Sequence, residues 1–122
     1  MPKKILLVED EEIIYNLLQK KLSNKGYEVS IAKNGEEALK AIREQKPDLV
    51  LLDIVMPVKS GFEVMEEIQD DDNLKDIPVI VISNSGQPVE LDKAKDLGAR
   101  DWLIKTEFDL EDVIQKVKKQ IG

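Results

Sequence analysis

The chain contains no cysteine and no histidine. Without cysteine it has no disulfide, no thiolate nucleophile and no zinc–thiolate site. Without histidine it has no imidazole general base, no Ser-His triad and no histidine phosphocarrier. No apolar run approaches the length that spans a bilayer, and the start, Met1-Pro2-Lys3-Lys4-Ile5, is too short for a signal peptide. The expected location is the cytoplasm, with no membrane contact. Positive charge is also in deficit. A net charge of −7 disfavours direct nucleic-acid binding by phosphate neutralisation.

What is present fits one folded domain. The 122 residues suit a single core, and 42% hydrophobic with 35% charged residues is an ordinary balance for a globular chain. Strand-like apolar runs alternate with helix-period segments five times. Ile5-Leu6-Leu7-Val8 is unbroken, as expected of a strand buried on both faces. A helix follows with Ile14, Leu17, Leu18 and Leu22 on one stripe, and Gly26 stands where it would end. Tyr27 to Ala32 alternates like an edge-leaning strand. Asn34 with Glu37 forms an N-cap pair ahead of a helix whose apolar face is Ala38, Leu39 and Ile42.

Pro47 ends that helix, and Leu49-Val50-Leu51-Leu52 reads as a central strand ending at Asp53. Ser60-Gly61-Phe62-Glu63 matches a capping box for a third helix burying Phe62, Met65 and Ile68. Asp70-Asp71-Asp72-Asn73 lacks the ligand spacing and turn glycine of a calcium loop and reads as solvated. Val79 to Ile82 is the fourth strand, ending at Ser83. Val89 to Leu97 is a weaker helix closed by Gly98. Trp102-Leu103-Ile104 is the last strand, and Asp109 caps a final helix carrying Val113, Ile114, Val117 and Ile121. Five β/α units imply a parallel sheet covered by helices on both faces, in one domain over residues 1–122.

In an open α/β sheet, ligands bind beyond the carboxyl ends of the strands. Those positions hold Glu9 and Asp10 after the first strand, Asp53 after the third, Ser83 after the fourth and Lys105 after the fifth. Each has an ordinary structural explanation. Glu9 and Asp10 could cap a helix or offset its dipole, Asp53 could be a turn residue, Ser83 could belong to loop chemistry with Asn84-Ser85-Gly86, and Lys105 could be a solvated surface charge. Together they suit one chemistry. Clustered carboxylates raise one another's pKa unless a cation sits between them, and oxygen-only ligands suit Mg²⁺. A carboxylate can accept a phosphoryl group, a transfer that needs positive charge and donors around the phosphoryl oxygens. Lys105 and the Ser83 hydroxyl are such groups.

Over essentially its whole length the sequence resembles the CheY-like receiver domains of two-component response regulators. The resemblance rests on Val8-Glu9-Asp10, on Asp53-Ile54-Val55-Met56-Pro57 with Gly61, on Ser83 and on Lys105, in that order and spacing. It implies a flavodoxin-like, doubly wound α/β fold: five parallel strands in the order 2-1-3-4-5, with five helices. It implies that Asp53 is the phosphoacceptor and that Asp10 and Asp53 bind Mg²⁺ directly. The Val55 carbonyl would be a third ligand and Glu9 would act through water. Ser83 and Lys105 would hold the phosphoryl group. Trp102 occupies the place of the aromatic switch residue, which turns inward as the Ser83 hydroxyl moves to the phosphoryl oxygens. The output surface would be the fourth helix, fifth strand and fifth helix. The implied partners are a sensor histidine kinase or phosphotransfer protein and a downstream protein target, for a monomer or an activation-dependent homodimer. Such a domain assists its own phosphorylation and dephosphorylation and is not otherwise an enzyme.

The sequence departs from the family pattern at three places. Thr106 follows Lys105 where proline, often with a cis bond, is usual, and a cis Lys105–Thr106 bond is the expectation. Trp102 is larger than the usual tyrosine or phenylalanine, so an inward rotamer is harder to fit. Ser60 replaces the usual aspartate before Gly61 with its capping role intact. Rival chemistries lack their signatures. A flavin phosphate would be repelled by Glu9-Asp10-Glu11-Glu12, the glycine-rich loop of a nucleotide hydrolase is missing, and a haloacid-dehalogenase-type phosphatase would need an aspartate at Val55. The alternative that remains is a receiver-like module that binds proteins without being phosphorylated.

Overall fold

The structure, a computed structural model, describes residues 2–56, 58–83, 87–105 and 109–122. Five strands alternate with five helices in chain order: β1 (Lys4–Val8), α1 (Glu12–Asn24), β2 (Glu28–Ala32), α2 (Gly35–Gln45), β3 (Leu49–Asp53), α3 (Gly61–Gln69), β4 (Val79–Ser83), α4 (Pro88–Asp96), β5 (Asp101–Ile104) and α5 (Leu110–Ile121). All strand pairs are parallel and the sheet order is β2-β1-β3-β4-β5, as the resemblance implied. The chain reverses direction across the sheet between β1 and β3, which places the ends of those two strands beside a crevice.

The unbroken apolar runs of β1, β3 and β4 are explained by burial on both faces. Leu6, Val8, Val50, Leu52 and Val81 pack with Ala38, Leu39 and Ile42 of α2, Val64, Met65 and Ile68 of α3 and Ala94 of α4. Their neighbours Ile5, Leu7, Leu49, Leu51, Ile80, Ile82 and Leu103 pack on the other side with Leu18 and Leu22 of α1 and Val113, Ile114 and Val117 of α5. Strand alternation therefore sorts each side chain to one of two helical layers.

The expected caps form. Asn34 Oδ1 accepts from Glu37 N at 2.9 Å, Ser60 Oγ from Glu63 N at 3.3 Å and Asp109 Oδ1 from Asp112 N at 2.8 Å. α1 ends before Gly26, whose φ of 95° suits a residue without a Cβ. Two side chains depart from expectation. Leu17 is 51% exposed rather than on the buried stripe of α1, because α5 covers only the Leu18 and Leu22 side of that helix. Phe62 is half-buried against the core, and the fully buried position beside Met65 and Ile68 is taken by Val64. Asp70 and Asp72 are solvent-facing, as a solvated loop requires. No helix among the described residues is long and apolar enough to cross a membrane.

Candidate functional site

The alternation that builds the core also builds the site. Along β1, Ile5 and Leu7 face the α1/α5 layer, so Glu9 follows them to that side. Asp53 follows Leu49 and Leu51 of β3, and Lys105 follows Leu103 of β5. All three emerge on the same side of the sheet's C-terminal rim. Glu9 and Asp53 are completely buried and the Lys105 side chain is only 7% exposed. Lys105 reaches from the end of β5 past β4 to the end of β3. Its Nζ donates to Asp53 Oδ2 at 2.9 Å, to Glu11 Oε1 at 2.8 Å and to Glu9 Oε2 at 3.2 Å. An ammonium has three protons, and all three are engaged.

The modest structural roles considered for these residues are also real. Glu9 Oε2 accepts from the backbone N–H groups of Asp10 and Glu11, at 3.0 and 3.1 Å, and orders the turn into α1. Asp53 Oδ1 accepts from Val55 N at 3.1 Å, an Asx-type turn that fixes the carboxylate at the strand end. Each carboxylate thereby keeps one oxygen on the backbone. The other Glu9 oxygen, Oε1, is buried and accepts no hydrogen bond among the described residues; it lies 3.1 Å from Lys105 Nζ without hydrogen-bond alignment. Glu9, exposed Asp10 and Asp53 each offer an oxygen within 4.8 Å of the others. An oxygen-only cluster with a spare buried lone pair fits a hard divalent cation such as Mg²⁺.

Burial pushes the Glu9 carboxyl up to about 7, against its bonds from the backbone and Lys105, and the Asp53 charge adds to the rise. Asp53 is also raised, again chiefly by burial and in spite of its bond from Lys105. Desolvation thus contributes more than the mutual repulsion anticipated from sequence. Lys105 shifts the opposite way. Burial alone would lower it, but the Glu11 and Asp53 carboxylates bonded to it, with the charges of Asp53 and Glu9, hold it well above the ordinary lysine range.

Close packing holds the acceptor strand in place. Gly61 N donates to Ile54 O at 2.8 Å, and a Cβ at Gly61 would lie 2.5 Å from Asp53 O and 2.7 Å from Ile54 Cα. Only glycine lets the start of α3 approach this strand end. The next turn is strained, with exposed Val58 at φ 69°, a conformation poorly suited to a β-branched side chain.

Ser83 has the opposite parity. It follows Val79 and Val81 towards the layer holding α4, and its hydroxyl donates to Glu90 Oε1 at 3.3 Å. Trp102 is 39% exposed on β5, with Lys116 Nζ 5.9 Å from its ring centroid and 2.7 Å from its carbonyl oxygen. Val55 is exposed at the rim. Pro57, the loop Asn84-Ser85-Gly86 and Thr106, and with it the expected cis Lys105–Thr106 bond, lie outside the described residues. Sequence reasoning did not single out two participants, Glu11 and Glu90. Glu11 was visible only as one of four consecutive acids, and Glu90 reads as an ordinary acid in the first turn of a helix.

Known proteins share this fold. The family model for the response regulator receiver domain matches residues 5–118. The polar-differentiation response regulator DivK of Brucella anthropi is 34% identical over all of this chain and 98% of its own length. The alkaline phosphatase synthesis regulator PhoP of Bacillus subtilis is 37% identical over 97% of this chain, which spans about half (48%) of that longer relative. Among solved structures, Vibrio cholerae chemotaxis protein CheY4 superposes with a TM-score of 0.92 at 28% identity, covering 99% of this chain and 100% of its own. The phosphorylated cyanobacterial phytochrome response regulator RcpA gives 0.84 at 36% identity, covering 98% and 91%. The Mn²⁺-bound form of response regulator Rcp1 gives 0.82 at 32%, covering 97% and 91%. The chain therefore belongs to the response regulator receiver domain family, the phosphoryl-accepting signalling domain of two-component systems.

Proposed function

We propose that Asp53 is the residue that accepts the phosphoryl group. The observation that carries this reading is the convergence of Asp53, Glu9 and Asp10 with the Lys105 ammonium at one rim, with one buried carboxylate oxygen left without a hydrogen bond. Asp10 and Asp53, with the Val55 carbonyl and with Glu9 through water, would hold Mg²⁺. When bound, the ion supplies positive charge for the phosphoryl oxygens. An Asp53 oxygen attacks phosphorus in line; in a phosphohistidine donor the P–N bond breaks and the imidazole leaves with the electron pair and takes a proton. Lys105, still protonated, redirects one N–H from Asp53 Oδ2 to a phosphoryl oxygen, and the Ser83 hydroxyl donates to another.

In this reading the donor is a sensor histidine kinase or a phosphotransfer protein. The acyl phosphate alters the surface formed by α4, β5 and α5, with Trp102 moving inward, and a downstream protein reads that change. The chain acts in the cytoplasm as a monomer, or a homodimer once activated, and assists only its own phosphorylation and dephosphorylation. Presence of the complete acid set, Ser83 and Lys105 favours this reading over a module that binds without phosphorylation. The test is intact-mass measurement after incubation with acetyl phosphate and Mg²⁺. One added phosphoryl group, lost in Asp53→Asn and in EDTA, is expected. Failure to gain mass, together with failure to bind beryllofluoride, would favour the non-phosphorylated module.

A further inference from the structure

We infer that Glu90 is a positioning residue that holds Ser83 in the resting state and sets the cost of switching. This inference rests on the reading that Ser83 donates to the phosphoryl group. Ser83 is fully buried at the end of β4 and follows Val79 and Val81 towards the α4 layer. There its hydroxyl donates to Glu90 Oε1 at 3.3 Å. A hydroxyl has a single proton, so it cannot donate to Glu90 and to a phosphoryl oxygen at once. Phosphorylation therefore has to break the Ser83–Glu90 bond.

Glu90 lies in the first turn of α4, a helix that buries a single residue, Ala94. That helix is weakly anchored, and the Ser83 bond ties its N-terminal turn to the rim strand beside Asp53. Losing the bond removes one tether of this turn of α4, so occupancy at Asp53 is coupled to the helix by exchange of one proton donor. Because the bond exists only in the resting state, it opposes activation. Linkage then requires that removing it tighten binding of a phosphoryl mimic by the same factor that it favours the active form.

The test is a beryllofluoride titration of the full chain with Mg²⁺, followed by fluorine NMR of the bound species. Removing a half-buried hydrogen bond corresponds to about fivefold in affinity, so Glu90→Ala should bind the mimic about fivefold more tightly than wild type. Glu90→Gln keeps an acceptor oxygen and should fall between the two, whereas a pure charge effect would make the Gln and Ala variants equal. In a Ser83→Ala background, Glu90→Ala should tighten binding much less than it does in wild type. Equal affinity of wild type and Glu90→Ala overturns the latch, as does an undiminished effect of Glu90→Ala without the Ser83 hydroxyl. If wild type itself fails to bind the mimic, the phosphoacceptor reading falls and the latch with it. A wild type that binds while Glu90→Ala changes nothing overturns the latch alone.

Discussion

The acid pocket should make the metal-free protein less stable as pH rises through neutrality. The Glu9 carboxyl sits at about 7 in the folded state against an ordinary 4.5, because it is buried. At intermediate pH the folded chain therefore binds a proton that the unfolded chain has released. Stability is full below about 4.5 and declines as pH rises to just above 7. A rise from 4.5 to about 7, at about 1.4 kcal/mol per pH unit, sets a ceiling of about 3 kcal/mol. Asp53 is raised as well and acts in the same direction. With no histidine or cysteine in the chain, only the α-amino group otherwise has an ordinary pKa between pH 5 and 8. The assay is urea unfolding in EDTA from pH 5 to pH 7.5, read by circular dichroism and by the fluorescence of Trp102, the one tryptophan. A fall of about 1 to 3 kcal/mol is expected across that range. Glu9→Gln should reduce the slope, and Glu9→Gln with Asp53→Asn should flatten it. Mg²⁺ should shrink the fall in wild type, since a bound cation stabilises the charged carboxylates in place of protons. A stability that is level or rises over this range without metal, or a full slope surviving in the double variant, would refute the argument.

Two substitutions near Asp53 should have opposite effects. Gly61→Ala brings a methyl within 2.5 Å of Asp53 O and 2.7 Å of Ile54 Cα, backbone atoms that cannot turn aside. Urea unfolding should show a loss of about 2 to 3 kcal/mol, and an unchanged midpoint would mean that α3 can move away freely. Val58→Gly removes a β-branched side chain from a left-handed conformation at a position 76% exposed. It should raise stability by about 1 kcal/mol, after allowing for the greater freedom of glycine in the unfolded chain; a drop in unfolding midpoint would show that the Val58 side chain contributes contacts that outweigh the strain.

The order of elements, the parallel sheet and the identity of the rim residues were legible from the residues alone. Apolar runs such as Leu49 to Leu52 can be satisfied only between two helical layers, and the buried polar residues at their ends, Glu9, Asp53 and Ser83, are satisfied by hydrogen bonds at the rim. Caps were equally legible, since Asn34, Ser60 and Asp109 act on N–H groups three residues away. Residues whose role depends on long-range packing were not. Leu17 carries the same helical period as Leu18 and Leu22, yet only the position of α5 decides which of them is covered. Glu11 is one acid among four until β5 brings Lys105 within 2.8 Å of it, 94 residues along the chain. Strand parity separates Glu9, Asp53 and Lys105 from Ser83, but only the placement of α4 puts Glu90 opposite the Ser83 hydroxyl. Local chemistry is written in neighbouring residues, whereas an ion pair or hydrogen bond between distant segments exists only after the sheet has assembled and its helices have docked.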